Sequence, residues 1–387
     1  LRLDQQTQHA QTCGCPGQGI RLCRAQRQLQ HFFRITRLAQ VEQTVANHCG
    51  AKHALAVNSA TSALHIACLA LGAGPGSRVW TSPLSFVASA NCARYCGADI
   101  DFVDIEPESG NMAVDMLRQK LEQARSSDTL PQIVIPVHLA GASCDMQQIH
   151  YLANEFGFAV LEDASHAVGA SYLDEAVGNC RYSDITVFSF HPVKIITTAE
   201  GGMAMTRSDE LAHQMALFRS HGITRDLAHM THASDGPWYY QQIALGFNYR
   251  MTELQAALGV SQMGRLDDYV ARRHALARRY DQLMQGLPVT VPWQHADTYS
   301  GLHLYPVRLH LNKIDRSHLE VFESLRAQGI GVNLHYIPVH IQPYYARMGF
   351  QPDDFPQAMA YYKEAISLPM YQTLGNDQQD QVMDALT

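Results

Sequence analysis

From Val41 onward, apolar runs of strand length alternate with segments whose apolar residues recur at helical spacing. The runs "RVWTS" (78–82), "IDFVDI" (100–105), "QIVIPVHL" (132–139), "FAVLED" (158–163) and "ITVFSF" (185–190) read as buried strands. Helical periods fall at 61–71, 85–96, 114–125 and 145–156, before or between the first four of them. This alternation predicts a mostly parallel sheet with helices on both faces, the α/β class. In open sheets of that kind ligands bind beyond the carboxyl ends of the strands.

A long helical pattern at 252–286, interrupted around Gly259 and Gly264, follows the last of these strands. Beyond it "GLHLYPVRLHL" (301–311) alternates like a strand, 316–328 has helical period, and "IGVNLHYIPV" (330–339) follows. The pattern divides the chain near residue 265 into a large domain, 41–265, and a smaller C-terminal α+β domain, 266–387. Residues 1–40 fit neither. They are rich in Gln and Arg, hold Asp4 as their single acid, and lack the apolar stretch of a signal peptide. We expect an anomalous segment there: a foreign, truncated or misread start joined to an ordinary protein.

Composition narrows the function classes. A formal net charge of −7, with no basic clustering beyond the first forty positions, argues against nucleic acid as a partner. No apolar run approaches the ~20 residues of a membrane-spanning helix, so a cytoplasmic protein acting on small ligands, anions among them, is expected. Nine cysteines, several in apolar helical contexts such as "LHIACLALGAG", suit reduced buried thiols better than a disulfide framework. Cys13 with Cys15, or Cys92 with Cys96, has no second pair at zinc-site spacing, so no metal is expected.

Three segments near strand ends carry the chemistry. "NSATSALHIA" opens a helix with Asn58, Ser59, Thr61 and Ser62, either simple N-capping or an anion cup suited to a phosphate. "FAVLEDASHA" ends a strand in Glu162-Asp163, with His166 three residues on. Asp163 either caps the next helix or holds a protonated ring nitrogen. "VFSFHPVKIITTAEGG" supplies a hydroxyl, Ser189, and an amine, Lys194. Together these parts fit pyridoxal phosphate, which needs a lysine amine for its aldehyde, an acid against its pyridinium nitrogen and a phosphate site. Phe86 in "SPLSFVASAN" is placed to stack on the ring.

The stretches "NSATSALHIACLALGAGPG", "LEDASHAVGASY", "VFSFHPVKIITTAEGG", "LGFNYRMTELQAALG" and "NLHYIPVHIQPYY" resemble the DegT/DnrJ/StrS family of sugar-nucleotide aminotransferases, from about Val41 to the C-terminus. The resemblance implies the pyridoxal phosphate-dependent transferase fold of type I, a cytoplasmic homodimer, and L-glutamate as amino donor. It implies Lys194 as the catalytic lysine, Asp163 as pyridinium partner, and His166 beside the ring. Thr61, Ser62 and Ser189 would hold the phosphate, with Phe86 stacked. Asn248 in "FNYRMT" would reach the phosphate of the neighbouring subunit, and Asn58, Ser189, His335 and Tyr336 would meet the nucleotide sugar. The forms "HPVKIITTAEGG" and "HYIPVHIQPYY" are most similar to the branch that aminates C4 of a UDP-linked 4-keto-6-deoxy sugar in pseudaminic acid biosynthesis. Another nucleotide-sugar 4-aminotransferase, or a catalytically impaired relative that binds the cofactor, remains open. The family's dehydratase branch carries histidine in place of the lysine, and Lys194 argues against it. Nothing in residues 1–40 resembles the family's Gly-Pro-containing N-terminal loop.

Overall fold

A computed structural model describes residues 36–386. The segment expected to be anomalous lies almost wholly outside them. Its last residues already belong to the fold, because helix α1 (Arg37–Cys49) starts at Arg37 with the Thr36 hydroxyl accepting from the Ala39 N–H.

Seven strands form the central sheet: β1 (His53–Val57), β2 (Arg78–Thr81), β3 (Asp99–Phe102), β4 (Ile133–Ile135), β5 (Ala159–Asp163), β6 (Ile185–Ser189) and β7 (Gly202–Thr206). Their spatial order is β1-β7-β6-β5-β4-β2-β3. The pairs from β3 to β6 are parallel, whereas β7 runs antiparallel to both neighbours. The carboxyl ends of β1, β2, β4, β5 and β6 therefore share one edge with the start of β7.

Side-chain alternation explains why these strands read as apolar throughout. Val79, Ile135, Leu161 and Val187 face one core, packed under α2 (Ala60–Ala70) and α3 (Ala88–Tyr95). Trp80, Val134 and Val160 face another, under α4 (Val114–Ser127) and α5 (Met146–Phe156). A third, built on Phe188, Met203 and Met205, packs against α1. Burying each such side chain contributes roughly 1.5–3 kcal/mol, and both faces are used.

The five expected strands are all present, with "QIVIPVHL" cut short at Ile135 because Pro136 has no N–H to give a ladder. The strands β1 and β7 carried no signal: "HALAV" and "GMAMT" are short and rich in Ala, Gly and Met, weak strand formers. The helix expected at 85–96 begins at Ala88, leaving Phe86 in the loop that leads into it.

After α6 (Asp209–Arg219), the long helical pattern resolves into α7 (Glu253–Met263) and α8 (Leu266–Leu283), broken at Gly264. Leu266 and Val270 of α8 pack in the core that α1 covers, whereas Leu276, Ala277 and Tyr280 pack in a fourth core. One helix thus spans both. The C-terminal part of the chain adds an antiparallel sheet of β8 (Val289–Thr290), β9 (Tyr305–Leu309) and β10 (Ala365–Leu368), with α9 (His318–Ala327) and α10 (Asn376–Leu386). The strand pattern at 301–311 is regular only over β9, and 330–339 pairs through a single bridge, Asn333 to Ser367. Among the described residues no helix is long and apolar enough to cross a membrane, and no cluster of His, Cys, Asp and Glu is arranged to hold a metal ion. Cys49, Cys68, Cys92, Cys96, Cys144 and Cys180 are free thiols.

Candidate active site

A cavity of about 270 Å³ opens at the carboxyl edge of the sheet. Its wall is contributed by Thr61 from α2, Phe86 from the approach to α3, Asp163 from β5, Ser189 from β6, Lys194 from the β6–β7 loop and Tyr336 from the small domain. Side chains from nearly the whole length of the described chain thus meet where the carboxyl ends converge.

Lys194 occupies a turn closed by its own N–H to the His191 carbonyl, 2.9 Å. Burial pushes its amine down to about 8, while the Asp163 carboxylate works in the opposite direction. A charged ammonium loses hydration there, so the neutral nucleophile is within reach at physiological pH. Asp163 is buried at the end of β5. Its Oδ2 accepts from the Ser89 hydroxyl at 2.6 Å, and its Oδ1 from the Ser165 N–H at 3.1 Å. The Ser85 and Ser89 hydroxyls lie 2.6 Å apart, so α3 holds the carboxylate from behind. Among the described residues Asp163 has no salt-bridge partner. A buried carboxylate in that position is a seat for a cationic ring nitrogen.

The candidate phosphate cup is a helix N-terminus. Ser59 caps α2, its hydroxyl accepting from the Ser62 N–H at 3.1 Å. The Ala60 and Thr61 N–H groups, in the first turn of α2, have no carbonyl one turn back, and both residues line the cavity together with Ser189. The Ser62 hydroxyl instead donates to Asn58 Oδ1 at 2.7 Å and lies 3.0 Å from Ser59 Oγ. The structure therefore places Asn58 and Ser62 in the capping network rather than in the cavity wall. The capping reading of "NSATSALHIA" thus holds for Ser59, Ser62 and Asn58, while Thr61 stands in the cavity wall.

Gly202 explains how the cup comes so near the sheet. A Cβ there would stand 2.6 Å from the Ala60 N and 2.6 Å from the Ser59 carbonyl carbon. Only glycine lets β7 pass under the start of α2. Gly202→Ala is expected to push the cup outward and weaken pyridoxal phosphate binding by tenfold or more, about 1.4 kcal/mol. Equilibrium dialysis of the cofactor checks this, and unchanged affinity in a folded variant would count against the cup.

His166 is buried, with its Nδ1 accepting from the Ala140 N–H at 3.2 Å and its Nε2 2.9 Å from the Tyr336 hydroxyl. An accepting Nδ1 places the proton of the neutral ring on Nε2, which donates to Tyr336. Burial, with Lys194 and His335 nearby, holds this imidazole well below its usual range. Burial also raises the Tyr336 phenol, followed by the Asp163 charge. The Phe86 ring, 58% exposed, stands 6.2 Å from that of Tyr336 across the cavity mouth. His335 turns away to Ser367 Oγ at 2.8 Å, and burial with Lys194 lowers it to about 4. Asn248 is exposed and outside the cavity of its own chain, paired to Ser220 in an isolated bridge.

Sequence reasoning missed Ser85, Ser89, Ser165, His191 and Glu200. The first two carried a faint signal, hydroxyls four residues apart on an otherwise apolar face. His191 and Glu200 stand 3.6 Å apart beside Lys194 and carried none.

Residues 21–387 match the DegT/DnrJ/EryC1/StrS aminotransferase family. The chain belongs to that family. The match begins ahead of the Val41 from which the sequence resemblance was read. The chain is 40% identical over 353 residues to the spore coat polysaccharide biosynthesis protein SpsC of Bacillus subtilis, covering 90% of this chain and 88% of the relative. It is 35% identical over 348 residues to the UDP-4-amino-4,6-dideoxy-N-acetyl-beta-L-altrosamine transaminase of Campylobacter jejuni, covering 90% and 88%. Its fold superposes on Helicobacter pylori PseC, an aminotransferase involved in pseudaminic acid biosynthesis, with a TM-score of 0.82 at 29% identity over 91% of each chain. The fold is that of type I pyridoxal phosphate-dependent transferases, and pyridoxal phosphate is the cofactor of this sugar aminotransferase. The cavity fits it: an N–H cup for phosphate, a buried carboxylate without a cationic partner, and one amine.

Proposed function

We propose that this chain transfers the amino group of L-glutamate to the C4 ketone of UDP-2-acetamido-2,6-dideoxy-β-L-arabino-hexos-4-ulose, forming UDP-4-amino-4,6-dideoxy-N-acetyl-β-L-altrosamine. The observation that carries amino transfer is the buried Lys194 amine, lowered toward neutrality, in one cavity with Asp163 and the α2 N-terminus. Bound pyridoxal phosphate supplies an electron sink for the bond broken at the donor's Cα. Thr61, the first-turn N–H groups of α2 and Ser189 would hold the phosphate, Asp163 would pair with the ring nitrogen, and Phe86 would cover the ring. Lys194 Nζ takes the proton from the donor's Cα and later returns one to C4 of the sugar, a single base serving both half-reactions.

The choice of sugar is supported by the relatives from Campylobacter jejuni and Helicobacter pylori. The higher identity to the Bacillus subtilis protein favours a second reading, in which the acceptor is another 4-keto nucleotide sugar. Incubating purified protein with glutamate and a panel of UDP-, GDP- and dTDP-linked 4-keto-6-deoxy sugars separates them. Exclusive turnover of a GDP or dTDP sugar would sink the first reading, and no turnover of any would sink both.

We also place the protein in a homodimer with shared sites. Asn248 is exposed and flanked by Leu245 and Leu254, 81% and 86% exposed, a surface that water alone covers poorly. In the dimer Asn248 reaches the partner's phosphate cup. Mixing Lys194→Ala and Asn248→Ala chains should therefore restore activity through dimers holding one intact site. Verified subunit exchange without recovery above either parent would disprove sharing.

A further inference from the structure

His303 belongs to the small domain, in the segment that leads into β9, yet its ring packs against the active-site histidine. The centroids of His303 and His166 are 4.6 Å apart, with the planes at 50°. We propose that His303 is a positioning residue that fixes the ring of His166, and through it the Tyr336 hydroxyl, at the wall of the Lys194 cavity.

The backbone around His303 is held on every side. Gly301 N–H donates to the Gly141 carbonyl at 3.0 Å, and Leu304 N–H to the Ala140 carbonyl at 3.2 Å. Ala140 is the residue whose own N–H fixes His166 Nδ1, so one short loop joins both histidines. Leu302 adopts a left-handed conformation, φ 48°, which costs any side chain but glycine. The buried Arg273 of α8 retains it. Its Nη1 donates to the carbonyls of Leu302 at 2.9 Å, His303 at 3.1 Å and Met370 at 3.0 Å. There is no slack, since a Cβ on Gly141 would fall 2.7 Å from the Leu302 N and 3.0 Å from the His166 carbonyl oxygen. A guanidinium buried on carbonyls alone and a strained leucine together aim this ring.

The ring face, rather than Nδ1, is the working part. Among the described residues His303 Nδ1 is buried without a hydrogen-bond partner, so nothing is lost there when carbon replaces it. The groups facing His166 are Lys194 from the β6–β7 loop, His335 and Tyr336 from the small domain, and His303 with Arg273 behind it. Asp163 and Ser165 lie on its own strand exit. Burial is the largest influence on His166, and Lys194 followed by His335 acts in the same direction. Removing the His303 ring admits water behind His166, which then gains a proton more easily. A protonated His166 turns from Ala140 and places a second cation beside Lys194.

This inference rests on Lys194 as the reacting amine, which cofactor labelling tests separately, whereas His166 titration is read whatever the substrate. In the full-length holoenzyme, the His166 ring signals, assigned with His166→Gln, are followed by NMR in wild type, His303→Ala and His303→Phe. In wild type His166 should stay neutral well below the usual imidazole range. In His303→Ala its titration should move up toward that range, and kcat should fall about tenfold as His166 takes up its proton, recovering at higher pH with little change in the sugar KM. His303→Phe should keep the wild-type titration and a kcat within about twofold. If His303→Ala does not fold, His303→Leu is read in the same way, since it fills volume without a ring face. An unshifted His166 titration with a pH-independent loss of kcat would overturn the proposal, as would a Phe variant no better than Ala.

Discussion

Borohydride reduction of the cofactor-loaded protein is expected to fix the cofactor to Lys194, and Lys194→Ala to lower amino transfer by about four orders of magnitude or more. The chain has four other lysines, and none lines the cavity. Lys52 is exposed and paired to Asp209, while the Lys120 ammonium is held by the Phe102 carbonyl and Asp101. Lys194 alone combines burial with a clear path to a ligand. Its pKa, lowered to about 8, leaves roughly a quarter of the amines neutral at pH 7.5, against about one in a thousand for an ordinary lysine. The sign follows from the direction of the shift: the reactive neutral form grows as pH rises and saturates above the lowered pKa. Capture of pyridoxal phosphate by apo-protein should accelerate about tenfold between pH 6 and 7 and level off above about 9. Peptide mapping after reduction decides the residue. A label on Lys52 or Lys363, or a capture rate still rising steeply at pH 10, would remove Lys194 from its role.

Five of the seven central strands, and the polar groups where such runs stop, were readable in advance for a physical reason. Parallel strands buried on both faces are apolar throughout, so Thr61, Asp163, Ser189 and Lys194 stood out as polar groups where such runs stop or helices start. What the sequence hid depends on packing between distant segments. The strand β7 is Gly- and Met-rich because it must pass beneath α2 and fill a core, and neither demand produces a strand-like pattern. Ser62 and Asn58 look like ligands in sequence, yet capping geometry turns the Ser62 hydroxyl onto Asn58. Ser89 looks like an ordinary helix serine. Only the approach of α3 to the end of β5 makes it a partner for Asp163. His303 lies in an alternating stretch whose alternation is partly spurious, since 301–304 is an irregular clamp rather than strand.

Asp163→Asn should lower turnover about a thousandfold while leaving pyridoxal phosphate bound, because it deletes a charge and little volume. Removing one preorganised electrostatic partner from a water-poor site typically costs about 3–4 kcal/mol. Asp163 is such a partner by construction. The Ser89 hydroxyl and the Ser165 N–H each donate to one of its oxygens, and the Asp163 backbone is anchored to the segment after β4 through both its groups, its N–H to the Pro136 carbonyl and its carbonyl to the His138 N–H. On the opposite face of the same strand Glu162 accepts from His138 Nε2 at 2.8 Å, from Thr186 at 2.9 Å and from Ser183, so the strand end cannot shift to relieve a change at 163. An amide there cannot stabilise a protonated ring nitrogen, and the electron sink weakens. Ser89→Ala removes one charge-assisted hydrogen bond without removing the charge, so its loss should be smaller, about tenfold to a hundredfold. The two variants differ in kind as well as size. Asp163→Asn should change the absorbance of the bound cofactor, which reports ring protonation, whereas Ser89→Ala should leave the band in place and lower only the rate. An Asp163→Asn protein that binds cofactor, keeps the wild-type absorbance and turns over within tenfold of normal would mean that the ring nitrogen does not lie against this carboxylate.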